Sequence, residues 1–380
     1  MLRLLGRIRL PIKRTVVICS ILLVMIASIF VDAPAQAQGI ASLPESVGNP
    51  ATVLGVATNA PSSLPGISWV RIGYITCGAG SLSGSKLKST IQAYHRHGVH
   101  VLLTICQPRP SQLLNTKPLK DAAQGHADAV QCGNEEMKGG KYNIYIPPQQ
   151  FAAFFDLCQR TVHKVNPSTT ILLGSLDPHV ARYDLKLLLG EVQYLDKMQQ
   201  AMNSRVHKGG HWSWRSQILG LINSWHDGYR PSYTNNLRDL FYFWAREFRT
   251  SINHLGKHLW VVEDTGCFKG CGLNVKNKKQ VAIAHILALI TDVQTAMHYH
   301  VPFFFFSARD FFASGVYWPI GILNSKGHPK PLRQDLPMGS RSLIMTCGKR
   351  HPKVITQEQL LATMYRGCSL PANYYRILTY

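Results

Sequence analysis

Short apolar runs alternate along this chain with longer stretches in which apolar positions recur at helical spacing. Runs rich in β-branched and aromatic residues lie at 53–57, 69–75, 99–105, 130–133, 170–176, 218–224, 260–262 and 301–307. They are apolar at consecutive positions, as parallel strands covered on both faces should be. Of the intervening stretches, 89–97 runs out at His97-Gly98, with glycine just past its last turn. The stretch 147–165 opens on prolines, carries Phe151, Phe154, Phe155, Cys158 and Val162 at helical spacing, and is stopped by Asn166-Pro167. Stretches 236–252 and 279–298 are also long and amphipathic, whereas 107–128 contains prolines and is only weakly helical. Eight strands separated by helices predict a (β/α)₈ TIM barrel, with the run at 301–307 pairing back to the one at 53–57.

The two ends fall outside that repeat. Arg3, Arg7, Arg9, Lys13 and Arg14 precede an apolar run of sixteen residues from Val16 to Val31, followed by the small-residue sites Ala33-Pro34-Ala35 and Ala35-Gln36-Ala37. This reads as a secretory signal peptide, 1–37, cut after Ala37, with an uncleaved membrane anchor as the alternative. A linker at 38–50 leads to the barrel at 51–332. Residues 333–380, with seven Lys/Arg against two acids, form a basic C-terminal extension.

Charge and cysteine content narrow the setting. Apolar residues make up 46% and charged residues 16% of the 380, which fits a globular enzyme rather than a disordered chain. The formal charge of +21 becomes +17 once the five basic residues and Asp32 of the leader are removed (21 − 5 + 1). An anionic cell wall or membrane surface suits such an exterior. The basic residues are scattered and no nucleic-acid-binding signature is present, so no specific nucleic acid is expected. Eight cysteines remain beyond Cys19, an even set that favours disulfides in an exported protein, with Cys267–Cys271 and Cys347–Cys368 the nearest pairs in sequence.

Chemistry concentrates at two strand ends. The chain has only seven glutamates, and Glu135 and Glu263 each follow an apolar run, which is where a (β/α)₈ barrel keeps its catalytic groups. Two carboxylates facing across a sugar ring are what glycosidic cleavage needs. The ordered set Trp69-Val-Arg71, Gly133-Asn134-Glu135, Trp225-His226-x-x-Tyr229, Trp260-Val-Val-Glu263 and Trp318 resembles clan A of the glycoside hydrolases, retaining barrel glycosidases that include cellulase-like families. The resemblance implies Glu135 as acid/base, Glu263 as nucleophile, Arg71 beside the nucleophile, and Asn134 on the sugar 2-hydroxyl. It places His226 and Tyr229 along the substrate cleft. Trp212, Trp214, Trp225 and Trp318 form a candidate aromatic rim for stacking on sugar faces, with a place in the core as the alternative.

Two departures leave alternatives open. Glu136 follows Glu135 directly, and Glu263 is followed by Asp264-Thr265-Gly266 where the clan has glycine about two places on. A bulge, or an inward-pointing Asp264, would account for the extra residue. No Gly-x-Ser-x-Gly elbow, P-loop or dinucleotide fingerprint occurs. The expectation is a secreted, monomeric hydrolase of an oligo- or polysaccharide, acting with retention and without cofactor or metal. The alternative is a non-catalytic carbohydrate- or cell-wall-binding protein on the same scaffold.

Overall fold

The computed structural model describes residues 54–57, 67–75, 84–107, 116–138, 145–176, 185–225, 236–267, 292–293, 295–313, 316–318, 321–328, 343–347, 353–355 and 368–369. The chain divides into two compact units, Met1–Val47 and Gly48–Tyr380, and every described residue falls in the second. The expected signal peptide and linker therefore lie outside the described residues.

Eight parallel strands close into one barrel: β1 (Leu54–Ala57), β2 (Trp69–Ile75), β3 (His100–Ile105), β4 (Ala129–Cys132), β5 (Thr170–Leu176), β6 (Ile218–Trp225), β7 (Leu259–Cys267) and β8 (Phe303–Phe306). Closure is made by β1 and β8, which pair in parallel from Leu54↔Phe303 to Ala57↔Phe306. Each of the eight expected runs is thus a barrel strand. The largest difference is β7, which extends to Cys267, well past the expected end at 262.

Among the described residues, five α-helices stand between the strands: α1 (Gly84–His95), α2 (Thr116–Gln124), α3 (Pro148–Val165), α4 (Leu185–Ala201) and α5 (Asn236–Glu247). Helix α3 begins on Pro148, whose missing N–H costs nothing in a first turn, and ends at Asn166 before Pro167. Helix α2 forms within the weakest stretch of the sequence, and α5 gives way to a 3₁₀ segment, Ile252–Lys257, before β7. Most of the expected helix at 279–298 lies outside the described residues.

Strand alternation sorts the core into two layers. Val70, Val101, Leu103, Val130, Leu173, Leu219, Val261 and Phe303 pack outward among the helices. Leu102, Ala129, Leu172, Ile222, Val262 and Phe304, with Trp69, Ile218 and Trp260, fill the barrel's interior. Trp69 meets Trp260 edge-on at 5.4 Å and carries His100 stacked on its other side at 4.9 Å, which plugs the entry end of the strands. In a (β/α)₈ barrel the opposite end is the one that carries functional groups.

Beyond β8, β9 (Phe311–Ala313) and β10 (Val316–Trp318) form an antiparallel hairpin. Further along, β11 (Leu343–Cys347), β12 (Lys353–Ile355) and β13 (Cys368–Ser369) form an antiparallel sheet of order β12-β11-β13. Cys347 stands opposite Cys368 in that register, though their side chains lie outside the described residues. A disulfide that sequence spacing did not single out joins Cys132 of β4 to Cys158 of α3, with 6.1 Å between the Cα atoms. Cys106 is also disulfide-bonded, to a cysteine whose side chain is not among those described.

Candidate active site

The site grows from one buried cation. Arg71 is an inward residue of β2, 0% exposed, above an interior layer of apolar side chains. A guanidinium there must be fully engaged, since a buried charge without partners costs many kcal/mol. Its Nη1 donates to Glu263 Oε2 at 2.8 Å and its Nη2 to Asn134 Oδ1 at 2.6 Å. Its Nε is shared between Thr104 Oγ1 at 3.0 Å and Gln131 Oε1 at 3.2 Å. One side chain from β2 thereby fixes groups from β3, β4 and β7 around the exit end of the barrel.

Glu263 reaches Arg71 because β7 carries a bulge. Val261 pairs with Leu221, but the next partners are Glu263 with Ile222 and Asp264 with Asn223, so Val262 is the extra residue. Against β8 the same slip appears, Val261↔Phe303 being followed by Asp264↔Phe305. A bulge puts two consecutive residues on one side of a strand. Val262 and Glu263 therefore both face inward, and Asp264 faces out. Asp264 is 0% exposed there and accepts from Asn223 Nδ2 at 2.7 Å, with Asp292 3.4 Å from the same nitrogen. Of the two openings left by the sequence, the bulge is the one the chain uses.

The end of β4 is organised differently. Gly133 has φ +111° and Glu135 has φ +57°, a left-handed conformation that costs a non-glycine residue about 1–2 kcal/mol. Glu135 N–H donates to the Ser175 carbonyl at 2.8 Å, which fixes the turn to β5. The Glu135 carboxylate lies 3.3 Å from Lys138 Nζ, with the two side chains 15% and 10% exposed. Asn134 Oδ1 accepts from Arg71, from Ser175 Oγ at 2.7 Å and from Gln131 Nε2 at 3.3 Å. Glu136 turns the other way, into a buried pocket against Phe151.

The structure thus gathers four expected residues, Arg71, Asn134, Glu135 and Glu263, at one end of the barrel. His226 and Tyr229 lie outside the described residues, as do the side chains of Trp225 and Trp318. Two expectations for the aromatic rim are corrected. Trp214 is 0% exposed, edge-on to Trp244 and Phe248, and Trp212 packs against Phe155. Both precede β6, at the end of the barrel remote from the carboxylates, so they are core. Thr104, Gln131, Ser175 and Lys138 were not foreseen. The first three were detectable as polar residues inside otherwise apolar strands. Among the described residues, no group of three or more His, Cys, Asp or Glu is placed to hold a metal ion.

No protein-family model matches the chain, and no curated protein matches it. Solved structures do. A glucosidase from Croceicoccus marinus is 13% identical, with TM-score 0.45, over 75% of this chain and 66% of that one. A family 39 glycoside hydrolase from Bacteroides cellulosilyticus WH2 is 12% identical, with TM-score 0.44, over 76% of this chain and 63% of that one. Fungal β-1,4-galactanases are 13% identical, with TM-score 0.47, over 72% of this chain and 88% of theirs. This chain spans just under two thirds of the first two. Likeness at this level carries no functional information, so the site's own geometry must.

Proposed function

We propose that the chain is an O-glycosyl hydrolase acting with retention, Glu263 as nucleophile and Glu135 as acid/base. The observation that carries this reading is the Arg71 hub, which holds Glu263 directly and Asn134, the neighbour of Glu135, on its other arm. The guanidinium stabilises negative charge on Glu263, as a nucleophile requires. In the first step a Glu263 oxygen bonds to the anomeric carbon, the bond to the leaving oxygen breaks, and Glu135 gives that oxygen its proton. In the second, Glu135 takes a proton from water, whose oxygen displaces Glu263 from the anomeric carbon. The three donors on Asn134 Oδ1 leave its amide nitrogen to donate to the sugar, where the clan resemblance puts the 2-hydroxyl.

One contact favours the second reading, a carbohydrate- or cell-wall-binding protein without catalysis. The Lys138 ammonium beside Glu135 stabilises the carboxylate, whereas the first step needs the acid. Under the hydrolase reading substrate must part this pair. Export to an oxidising compartment belongs to both readings and is supported by the leader-like sequence and the Cys132–Cys158 bridge.

Azide rescue separates the readings. Glu135→Ala should fail on poor leaving groups yet retain the first step on activated aryl glycosides, and azide should restore turnover with a product of retained configuration. Glu263→Ala should be inactive on both substrate types, and azide should give the inverted product. A parent that binds glycosides and turns none over, with both variants binding as it does, would establish the binding protein instead.

A further inference from the structure

Behind Glu135 lies a second carboxyl for which double displacement has no use. Glu136 is 2% exposed, and neither of its carboxyl oxygens meets a hydrogen-bond partner at good geometry. Two glycines shape the space it occupies. A Cβ on Gly133 would lie 2.2 Å from Glu136 Oε1 and 2.6 Å from the Phe151 ring. A Cβ on Gly174 would lie 3.0 Å from Oε2 and 3.2 Å from the same ring. Both glycines have positive φ, +111° and +38°, so side chains are disfavoured there on two grounds.

The backbone of the same residue is tied down. Its carbonyl accepts from Ile146 N–H at 2.9 Å, and the Ile146 carbonyl accepts from Tyr194 Oη at 2.6 Å. Elements β4, β5, α3 and α4 all meet this one side chain. Among the described residues, the titratable groups that act on it are Glu135 on its own turn and Tyr194 from α4, with Tyr145 behind Tyr194. From β5 and α3, Gly174 and the Phe151 ring border the same space. Burial pushes the Glu136 carboxyl up to about 8; the amides of Glu136 and Asn134 pull it back, and neighbouring Glu135 adds a smaller upward push.

We propose that Glu136 is a positioning residue that works as a neutral acid: its uncharged carboxyl wedges the Gly133–Lys138 turn so that Glu135 faces the barrel mouth, and loss of its proton disarms the site. This rests on Glu135 as the acid/base. Once ionised, Glu136 would be a charge in an apolar pocket 2% open to water, and unpaired buried charge is relieved by moving to solvent. Rotation of the turn that carries Glu135 brings that carboxylate to water. That rotation relieves the strained φ of Glu135 but breaks the bonds from Ile146 N–H to the Glu136 carbonyl and from Glu135 N–H to the Ser175 carbonyl, which hold the turn while the carboxyl keeps its proton.

Glu136→Gln keeps the shape and removes the proton. In the parent, activity should fall about tenfold between pH 7 and pH 9 on account of this group, as a single ionisation near 8 requires. Any fall from Glu135 itself multiplies both proteins alike. The ratio of kcat/KM at pH 9 to that at pH 7 should therefore be about tenfold higher in Glu136→Gln than in the parent. Equal ratios would overturn the proposal. Carbon-13 NMR of glutamate carboxyls supplies a readout that needs no substrate. The resonance missing from Glu136→Gln should titrate near pH 8 in the parent, and the one missing from Glu135→Gln should shift in step with it. A Glu136 resonance already ionised at pH 6, or a Glu135 resonance that ignores it, would sink the idea. Should the parent turn over no glycoside at all, the hydrolase reading fails alone, and the NMR titration still decides whether Glu136 governs Glu135.

Discussion

Two strand ends of this barrel face the same problem and solve it in different ways. β4 runs into Glu135-Glu136 and β7 into Glu263-Asp264, so each offers two adjacent carboxyls where one is wanted. In β7 a bulge adds one residue, Glu263 falls onto Arg71, and Asp264 is turned outward to a buried Asn223. In β4 a left-handed turn replaces the bulge, and the outward residue, Glu136, enters an apolar pocket with no partner. The outward carboxylate of β7 is satisfied by hydrogen bonding, and that of β4 is accommodated by keeping its proton. Selection of an inward carboxyl therefore requires a backbone irregularity, and the environment of the rejected one decides whether it is charged.

The largest effect should separate the two members of the β7 pair. Glu263→Gln should lower kcat/KM by ~10⁴-fold or more, as removal of a covalent nucleophile does. Asp264→Asn should cost less than about tenfold, because its partner is the amide of Asn223 and not the substrate. If Asp264→Asn is as inactive as Glu263→Gln, the bulge does not select between them and the comparison fails.

The next effect is on stability, and it distinguishes β4 from β7. Glu136 has its folded value raised to about 8, above the ordinary 4.5, so between those limits the folded state holds a proton that the unfolded chain releases. Stability from this group is fully present below about pH 4.5 and is lost as pH rises to about 8, at ~1.4 kcal/mol per pH unit. Glu136→Gln should flatten that slope and be the more stable protein at pH 8, by a few kcal/mol. Asp264→Asn should instead be less stable than the parent by ~1–3 kcal/mol, since a carboxyl acceptor is lost from a buried amide. Denaturant melts of both variants at pH 5 and pH 8 test the contrast, and a Glu136→Gln slope equal to the parent's would refute it.

These differences mark how far the sequence could be read. Eight apolar runs sufficed for the barrel, because strands covered on both faces must be apolar at successive positions and each turned out to be one. Glu263 was legible as a glutamate ending such a run, but its choice over Asp264 depends on register against β6 and β8, which no single segment contains. Glu136 was legible only as a rival to Glu135. Its burial comes from Gly133, Gly174 and Phe151, which converge from three elements. Trp212 and Trp214 misled because an aromatic pair looks alike in a sugar cleft and in a core. Only their place before β6 assigns them to the core.

A covalent tie sharpens the contrast further. Cys132, three residues before Glu135, is bonded to Cys158 of α3, the helix that also supplies Phe151 to the Glu136 pocket. The bond closes 26 residues of chain, worth about 3 kcal/mol by the loop-entropy argument. Cys158→Ala should lower stability by that order. It should also lower hydrolysis more than an equally destabilising change in α5, because the turn carrying Glu135 loses its anchor. Equal losses of activity in the two variants would mean that the bridge serves the fold alone.

The smallest effect lies at the other end of β4 and completes the comparison. Asp128, just before the strand, accepts from His95 Nε2 at 2.8 Å, His100 Nδ1 at 3.0 Å and Val101 N–H at 2.7 Å. Partial burial alone would raise its carboxyl, but the hydrogen bonds from His100, Val101 and His95 outweigh that and leave it below the usual carboxylate range. A depressed folded value gives stability that is present above the unfolded value, about 3.9, and lost as pH falls through the folded one. With the side chain 29% exposed, solvent screening limits the contribution to about 1 kcal/mol or less. Asp128→Asn should therefore blunt the acid side of the stability profile slightly and leave its alkaline side untouched. Glu136→Gln should do the reverse and do it more strongly, because burial of its carboxyl outweighs the nearby amides that favour the ionised form. One strand then carries at its entry end a carboxylate that fails in acid and at its exit end a carboxyl that fails in alkali. A double variant should lose both slopes independently, and coupling between them beyond about 0.5 kcal/mol would show that the two ends of β4 do not act as separate sites.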